Sequence, residues 1–422
     1  MEYTCQISAH LAVRWPPPTP DPTLIVIGQY LMSHPSVTQH AQSPRWLGDR
    51  PSGTEEYAMA PRRLISGAAA LGAALMFAVP GLAAASDGRS GYVYTETNAA
   101  SGNAILAYSQ GNDGSLTAIG TITTGGLGTG SGLATQGEVI LAGGGKWLLA
   151  VNAASNDIST FRVHDDGRLT LTGRTGADGT DPVSLTADNG LVYVLDAGGS
   201  GNIAGFRLDD GKLHPIGGSV QALSGSATNP AEVAFSTDGR FLVVTERATN
   251  LVDTYSVDSH GRAGGLKTTA SSGPVPYGFA FDLRNHPIVS EAANSTLSSY
   301  RLSGAGATVI SASVPTGGIA ACWVAVSPNG LWAFDSNAHG GTISSFEVRS
   351  NGTIALEHSI AANTGTGSAP LDLQVSSNGR FLYVNEAGAH MIGGYRVGAG
   401  GTLVAVPGAP VLPASASGIA VS

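Results

Sequence analysis

Cysteine is nearly absent from this chain, which contains only Cys5 and Cys322 among its 422 residues. Two cysteines cannot build a disulfide framework or a zinc site based on cysteine ligands. Charged residues are also scarce, at 12% of the chain, and their balance gives a net charge of −9. Because phosphate backbones are bound by basic surfaces, this composition argues against a nucleic-acid partner.

Several catalytic motifs are missing as well. The sequence contains no G-x-S-x-G nucleophile elbow, no Walker phosphate loop and no H-E-x-x-H zinc motif. His339 and His390 lack the spacing of a zinc-binding pair, so we predict no metal ligand among them. A glycine-rich stretch at residues 123–137 is followed by no helical pattern, and it therefore predicts a loop and not a dinucleotide-binding turn.

One repeated pattern fills the chain from residue 92 to its end. Each copy begins with an apolar run that ends in a small or acidic residue, and the runs start roughly 44 to 55 residues apart, the spacing of four-stranded propeller blades. The seven runs are YVYTETN (92–98), WLLAVNA (147–153), LVYVLDA (191–197), FLVVTER (241–247), PIVSEAA (287–293), LWAFDSN (331–337) and FLYVNEA (381–387). The repeats predict an all-β fold, a seven-bladed β-propeller.

The other strands of each blade follow the same pattern in every copy. A second run alternates around an aromatic residue, as in ISTFRV (158–163), and leads into a tight glycine-containing turn. A short apolar run then precedes the next Asx-Gly pair, as in EVAFSTDG (232–239). The first copy lacks this strand, whereas the C-terminal GIAVS (418–422) matches its opening and then stops. We therefore predict that GIAVS pairs with the first blade and closes the ring.

The residues before the propeller have the composition of an export signal. Two arginines at 62–63 precede an apolar stretch at 64–79, and the alanines at 83–85 form a small-residue cleavage site. This order of features predicts a cleaved signal peptide at 59–85. The mature chain is then expected to be secreted or periplasmic, with no membrane attachment after cleavage.

A signal peptide should stand at the start of a protein, yet this one begins at Met59. Our hypothesis is that Met59 is the true start and that residues 1–58 are a disordered or wrongly assigned upstream extension. Residues 86–422 then form the propeller. Because a closed ring leaves no sheet edge to pair, we expect a monomer.

Polar residues around the central channel are the candidates for a site. In a propeller, the loops after the apolar runs share one face with the residues that open each innermost strand, around the channel mouth, where we expect a small-molecule ligand or substrate. Glu246 and Glu291 each end a strongly apolar run and are expected to point toward this mouth. Trp323 could plug the channel or stack on a ligand. The other loop candidates are Asn250, Asn337, His339 and Glu386, and the strand-opening candidates are Gln136, Ser184, Glu232, Tyr277, Trp323 and Asp372.

Three stretches resemble a known family: PAEVAFSTDGRFLVVTERATNLVDTYSV (230–257), ACWVAVSPNGLWAFDSNAHGGTISSFEV (321–348) and PLDLQVSSNGRFLYVNEAGAHMIGGYRV (370–397). They are similar to the seven-bladed lactonases, which include propeller 6-phosphogluconolactonases and carboxy-cis,cis-muconate cyclases. The resemblance implies an Arg-His pair after the proline of a central innermost strand and a glutamate after the next strand. In this chain the pair positions hold Ala231 and Glu232, and the glutamate is Glu246.

The sequence leaves three functions open. The first is an exported lactonase-like enzyme that hydrolyses or forms a lactone ring, with Glu246 as general base, Glu232 or Glu291 assisting, and Arg247 binding an anionic group. The second is a calcium-assisted variant with Glu232, Glu246, Glu291 and Asp372 as ligands. The third is a non-catalytic secreted propeller that binds a glycan, a metabolite or a protein and has lost the Arg-His pair.

Overall fold

The computed structural model describes residues 89–422, which form seven antiparallel sheets, each built around four strands; the strands are in sequence order in every sheet except the first, which also includes the C-terminal strand. The innermost strands of neighbouring sheets contact one another around a closed ring. The predicted all-β seven-bladed propeller is therefore confirmed. Residues 1–58 and the predicted signal peptide at 59–85 lie outside the described residues. From residue 89 onward, no helix has the length and hydrophobicity needed to cross a membrane.

The first four blades follow one another along the chain. Blade one begins with β1 (Arg89–Glu96), β2 (Ala104–Gly111) and β3 (Leu116–Thr123). Blade two contains β4 (Val139–Ala142), β5 (Trp147–Asn152), β6 (Asp157–Val163) and β7 (Leu169–Gly176), with a short 3-10 helix at Ala153–Ser155. Blade three contains β8 (Pro182–Asp188), β9 (Leu191–Asp196), β10 (Asn202–Asp209), β11 (Lys212–Pro215) and the short β12 (Gln221–Ala222), which also pairs with β10. Blade four contains β13 (Pro230–Phe235), β14 (Phe241–Glu246), β15 (Leu251–Val257) and β16 (Ala263–Ala270).

The last three blades repeat this order. Blade five contains β17 (Pro276–Phe281), β18 (Pro287–Glu291), β19 (Thr296–Ser303) and β20 (Gly306–Pro315). Blade six contains β21 (Ala321–Val326), β22 (Trp332–Asn337), β23 (Thr342–Val348) and β24 (Ile354–Asn363). Blade seven contains β25 (Pro370–Val375), β26 (Phe381–Glu386), β27 (Met391–Val397) and β28 (Leu403–Ala405), with a 3-10 helix at Ala399–Gly401. The chain then returns to blade one as β29 (Ser417–Val421).

The last strand closes the ring by pairing with the first. Strand β29 runs antiparallel to β1, with Val93 opposite Val421 and Tyr94 opposite Ala420. Blade one thus takes its innermost strand from the C-terminal end of the chain, as the unfinished GIAVS repeat predicted. This pairing covers the sheet edges that would otherwise stay exposed.

Buried tyrosines on the second strands bond one blade to the next. Each hydroxyl donates to the carbonyl of a turn glycine in the following blade: Tyr94 to Gly167 at 3.0 Å, Tyr193 to Gly261 at 2.8 Å, and Tyr383 to Gly114 at 2.7 Å. Gly167 has a φ of +77°, and a Cβ there would overlap the ring of Tyr92, so the turn requires glycine. The Asx-Gly turns of the sequence therefore also hold the blades together.

The innermost strands place one set of residues at the same depth in the channel. The residue that opens these strands pairs with the end of the second strand, as Pro230 does with Glu246 and Pro370 with Glu386. The residues two positions further along these strands are equivalent to one another, and we name them the channel ring. They are Ser184, Glu232, Gly278, Trp323, Asp372 and, immediately before β4, Glu138. The blade repeat thus brings three carboxyl groups into one layer.

Candidate functional site

A cavity of about 370 Å³ occupies the central channel. Every innermost strand contributes to its wall, including β29 through Ile419. Glu232 and Asp372 of the channel ring line it, together with Gln136 and Gln374. Its size falls within the range of about 300–1,000 Å³ that is typical of small-molecule pockets. The channel itself is therefore the candidate site.

A loop crosses the channel at the level of the channel ring. Residues 134–137, which we name the crossing segment, end the glycine-rich stretch that joins blades one and two. The amide of Gln136 donates to the carbonyl of Ala231 at 3.1 Å, and its side-chain Nε2 donates to the carbonyl of Val324 at 2.8 Å. Sequence reasoning placed Gln136 at the opening of an innermost strand, whereas it lies three residues before β4 and bonds across the ring. The crossing segment closes this end of the cavity.

Arg247 holds the crossing segment in place through hydrogen bonds. Its Nη1 donates to the carbonyl of Ala134 at 3.0 Å and to the hydroxyl of Tyr277 at 2.7 Å, and its guanidinium lies 4.7 Å from the Tyr277 ring centroid. Nε and Nη2 donate to Asn229 and to the carbonyl of Pro230 at 2.8–3.0 Å. All five N–H donors of Arg247 are thus used by neutral acceptors. Its predicted role in binding an anionic group stays a prediction, and it would require breaking these bonds.

Removing this clamp should loosen the channel mouth. We expect Arg247→Ala to raise the amide hydrogen-exchange rate of the crossing segment by about tenfold or more, because local opening no longer breaks the guanidinium bonds. Exchange measured by mass spectrometry on peptides covering residues 134–137 checks this. Arg240→Ala, which removes an exposed arginine that contacts its near neighbours Asp238 and Phe241, is the matched control. Unchanged exchange in the Arg247 variant would contradict the clamp.

Tyr277 and Trp323 close the channel together with Arg247. Both side chains are almost fully buried, and their ring centroids lie 4.9 Å apart. The Trp323 indole Nε1 donates to the carbonyl of Thr135 at 2.7 Å, and the Tyr277 hydroxyl donates to the carbonyl of Ala134 at 2.6 Å. Trp323 therefore packs against the crossing segment and is not among the residues that line the cavity.

The two carboxyl groups that line the cavity are held by backbone amides. Glu232 is 6% exposed, and its Oε2 accepts a hydrogen bond from the amide of Phe279 at 2.6 Å. Its Oε1 accepts no hydrogen bond from any residue between 89 and 422. Asp372 is 5% exposed, and its Oδ2 accepts from the amides of Gly137 and Ile419 at 3.5 and 3.3 Å. The hydrogen bond from the Gly137 amide to Asp372 thus also holds the crossing segment in place.

The environment of the channel ring favours protonated carboxyl groups. Burial raises the pKa of Glu232 well above its ordinary value, and the nearby Asp372 and Glu138 raise it further. Burial and the charge of Glu138 likewise raise the pKa of Asp372. Burial also raises the pKa of Glu138, to about 7. Among residues 89–422, no lysine, arginine or histidine lines the cavity to offset these acids.

Glu138 is the member of this group that sequence reasoning missed. It is buried but does not line the cavity, and its Oε1 accepts hydrogen bonds from the hydroxyls of Thr135 at 2.8 Å and Ser417 at 3.1 Å. A signal was present in the sequence, since Glu138 and Val139 repeat the Glu-Val pair that opens EVAF in blade four. This match with blade four was missed because the loop before β4 is unusual.

The opposite end of the cavity is apolar and more accessible. Ile140, Leu141, Phe281 and Val326 line this end and are half-buried, while Gln374 is exposed. The cavity is therefore a funnel that the crossing segment closes at one end, with both polar and apolar groups in its walls. Its carboxyl groups lie at the closed end, and solvent reaches it from the face opposite the crossing segment.

Glu246 and Glu291 do not face the channel mouth, so the expected orientation of their side chains is wrong. Both are fully buried. Glu246 accepts hydrogen bonds from the amide of Ser224 at 2.9 Å and from the hydroxyl of Thr249 at 2.5 Å. Glu291 accepts from the amide of Gly273 at 2.7 Å and from three hydroxyls of its own blade. Each carboxylate thus bonds the loop and strands of one blade to one another.

The same position is polar and buried in all seven blades. It ends the second strand and is occupied by Glu96, Asn152, Asp196, Glu246, Glu291, Asn337 and Glu386. Asn337 bonds the hydroxyls of Thr316 and Ser344, and Glu386 accepts from the hydroxyl of Tyr395. Because the position is buried and polar in every blade, it is a structural part of the repeat. The catalytic assignment of Glu246 stays a prediction, without support from its placement.

The remaining candidates lie away from the cavity. Asn250 is exposed, with a φ of +58°, and its Oδ1 accepts from the amide of Val275 at 2.7 Å. His339 is exposed on a loop of blade six. Within residues 89–422, no group of three or more His, Cys, Asp or Glu side chains is arranged to hold a metal ion. Of the four predicted calcium ligands, only Glu232 and Asp372 meet in the channel.

The structure is a seven-bladed propeller with a cavity in its central channel. The sequence matches the family described as "Lactonase, 7-bladed beta-propeller" over residues 82–227, 220–296 and 284–374. The chain belongs to this family, as the repeat resemblance indicated.

Individual relatives are distant. The 6-phosphogluconolactonase of Yersinia pestis (strain Pestoides F) is 25% identical over 275 residues, which cover 61% of this chain and 80% of the relative. A putative 6-phosphogluconolactonase from Bacteroides fragilis has a similar fold, with a TM-score of 0.63 and 18% identity over 80% of this chain and 99% of the other. The periplasmic gluconolactonase PpgL of Pseudomonas aeruginosa gives a TM-score of 0.62 and 16% identity over 78% of this chain and 98% of the other.

Proposed function

We propose that this protein hydrolyses the ring of an uncharged lactone inside the channel cavity. The observation that carries the proposal is the pair of cavity-lining carboxyl groups, Glu232 and Asp372, at the closed end of the channel funnel. Family membership and the lactonase names of its relatives support the reaction class. The pair replaces Glu246 and Arg247 as the proposed reactive groups, because those two side chains are used in holding the blade and the loop.

The chemistry needs one ionised and one protonated carboxyl group. Ionised Glu232 takes a proton from a water molecule as the water oxygen attacks the lactone carbonyl carbon. The tetrahedral intermediate then collapses, the ring C–O bond breaks, and protonated Asp372 donates its proton to the departing alkoxide oxygen. The product is the open-chain hydroxy acid. Neighbouring carboxyl groups that share one proton in a buried site provide these two states over the same pH range.

The charge of the cavity determines which lactones it can bind. A phosphorylated or carboxylated lactone would bring a negative charge beside two buried acids, with no basic residue lining the cavity to balance it. The acid and amide side chains of the cavity instead suit a compact uncharged lactone that forms hydrogen bonds with them. The substrate thereby differs from that in the name of the Yersinia relative.

The pH dependence of hydrolysis tests the proton assignment. Because Glu232 must be ionised, kcat/KM is expected to fall as the pH drops through its pKa, which burial places above the ordinary glutamate value of about 4.3. The rate should fall again at higher pH, when Asp372 loses its proton. A pH-stat assay on δ-valerolactone measures both limbs. Asp372→Asn should lose the alkaline limb and keep the acidic one, whereas an unchanged bell-shaped profile would contradict the assignment.

A second candidate function is ligand binding without turnover. The observation that favours it is the absence of the family's Arg-His pair, whose positions hold Ala231 and Glu232, and the engagement of all Arg247 donors by the protein. Such a propeller would take a glycan, a metabolite or a protein segment into the funnel. Calorimetric binding of an uncharged lactone with no acid release, in a protein of intact fold, would favour this alternative.

We also propose export of the mature chain, through the signal predicted at 59–85. A protein of similar fold, the gluconolactonase of Pseudomonas aeruginosa, is periplasmic, which supports this compartment. N-terminal sequencing of the protein from culture medium or periplasm, with Ser86 as the expected first residue, tests it. A retained N-terminus upstream of Met59 would contradict both the cleavage and the start site.

A further inference from the structure

Four asparagine–glycine pairs lie in turns of the propeller, and one of them differs from the other three. The pairs begin at Asn189, Asn329, Asn351 and Asn378. In such a pair, the side-chain carbonyl carbon of asparagine can be attacked by the backbone nitrogen of the next residue, and glycine has no side chain to hinder the approach. All four pairs share this intrinsic chemistry. The surrounding structure therefore determines which of them reacts.

Three of the pairs have hydrogen bonds on both reacting groups. The glycine amide donates to a carbonyl of the same turn, at 2.7 Å in the pairs of Asn329 and Asn378 and at 2.8 Å in the pair of Asn351. The side-chain Oδ1 of each asparagine accepts from the amide two residues later, at 2.9–3.1 Å. Each Oδ1 also accepts from a serine or threonine hydroxyl of its turn, at 2.7–2.9 Å. The turn must open locally before the nitrogen can attack.

The pair of Asn189 and Gly190 has none of these bonds. Both residues are exposed and form the two-residue turn between β8 and β9. Within residues 89–422, the Gly190 amide donates no hydrogen bond and the Asn189 Oδ1 accepts none. The Asn189 Nδ2 donates to the carboxylate oxygens of its neighbour Asp188, at 3.0 and 3.2 Å. The two reacting groups of this pair are thus free of the bonds that protect the other three.

We infer that Asn189 is a site of spontaneous deamidation, which converts it to aspartate and isoaspartate. The Gly190 nitrogen loses its proton and forms a bond to Cγ of Asn189. The bond from Cγ to Nδ2 then breaks, and Nδ2 leaves with that proton as ammonia, so that a succinimide ring remains. Water adds to one of the two ring carbonyl carbons and breaks its bond to the Gly190 nitrogen. Opening at Cγ gives aspartate, and opening at the backbone carbonyl gives isoaspartate.

The modification changes the end of an innermost strand. Strand β8 lines the channel cavity through Leu185, Thr186 and Ala187 and ends one residue before Asn189. Either product places a new carboxylate beside Asp188. In isoaspartate the main chain also runs through the side-chain carbon, which lengthens a turn whose flanking residues, Asp188 and Leu191, are paired in register. The inference concerns this turn and does not depend on the reaction proposed in the channel.

Peptide mapping by mass spectrometry tests the site, because it measures deamidation at all four pairs in one sample of folded protein. We expect Asn189 to deamidate about tenfold or more faster than each of the other three asparagines, since its reaction requires no opening of turn bonds. The rate should rise with pH, because the attacking nitrogen must lose its proton. Equal rates at the four pairs, or a faster rate at another pair, would overturn the inference.

The unfolded chain is the matched control. In guanidinium chloride the three protected pairs lose their turn bonds, so we expect the four rates to converge to within about threefold. If the preference for Asn189 persisted unchanged in the unfolded chain, its cause would be the local sequence, and the structural explanation would fail. Asn189→Gln gives a second readout, because glutamine would have to form a larger ring. Ammonia release from the folded variant should fall well below that of wild type, and unchanged release would also contradict the site.

Discussion

Replacing Glu232 with glutamine is expected to lower kcat/KM for δ-valerolactone by about 10²- to 10⁴-fold, the usual contribution of a general base. Glutamine keeps an oxygen that accepts the hydrogen bond from the amide of Phe279, so the local fold should persist. It cannot take a proton from the attacking water. Acid release at fixed pH measures the turnover, and the thermal midpoint should stay within about 3 °C of wild type.

The control for this variant is Glu138→Gln. Glu138 belongs to the same channel ring and is equally buried, but it does not line the cavity. We expect its replacement to change kcat/KM less than about tenfold, through altered charge alone. An equal loss in both variants would assign the effect to the electrostatics of the ring and not to a base at position 232. Full activity of Glu232→Gln would remove Glu232 from the mechanism.

Replacing Glu246 with alanine is expected to destabilise the protein by about 1–3 kcal/mol, because it removes a fully buried side chain that accepts three hydrogen bonds. The amide and hydroxyl of Ser224 and the hydroxyl of Thr249 all donate to this carboxylate. Chemical unfolding in urea measures the change in the free energy of unfolding. Hydrolysis per folded molecule should remain within about threefold of wild type, since Glu246 does not reach the cavity.

Glu246→Gln separates the structural role from a catalytic one. Glutamine retains an acceptor for part of the network, so we expect a smaller loss of stability than in the alanine variant. Both variants should hydrolyse lactone when folded. Loss of turnover in a Glu246→Gln protein of nearly normal stability would restore Glu246 as the general base that the family resemblance implies.

The architecture could be predicted from the sequence because its signals are local. Each blade repeats the same apolar runs and Asx-Gly turns, and each strand alternates over a few residues. The closing strand was also visible, since GIAVS is an interrupted copy of the run that opens every other blade. Strand β29 pairs with β1 as expected.

Side-chain direction at the site could not be predicted in this way. Glu246 and Glu291 end strands, and a shift of one position turns a side chain from the channel into the blade. The hydrogen bonds that determine side-chain direction join residues far apart in the sequence, such as Gln136 and Val324 across the ring. The crossing segment therefore looked like an ordinary loop, although it closes the channel.

The departure from the family pattern coincides with an acidic channel. The positions of the Arg-His pair hold Ala231 and Glu232, and the structure places Glu232 beside Asp372 with no basic residue lining the cavity. Glu138 adds a third acid to the same layer. The uncharged substrate class that we propose rests on the charge of these acids.

The most direct test of this account is a comparison of lactone hydrolysis by the purified protein across uncharged and phosphorylated substrates. δ-Valerolactone, gluconolactone and 6-phosphogluconolactone should be assayed under identical conditions, with the spontaneous rate subtracted. The account predicts turnover of at least one uncharged lactone, with kcat/KM at least about tenfold above that for the phosphorylated one, because the cavity acids repel its charge. A preference for the phosphorylated lactone, or no turnover of any of them, would contradict it.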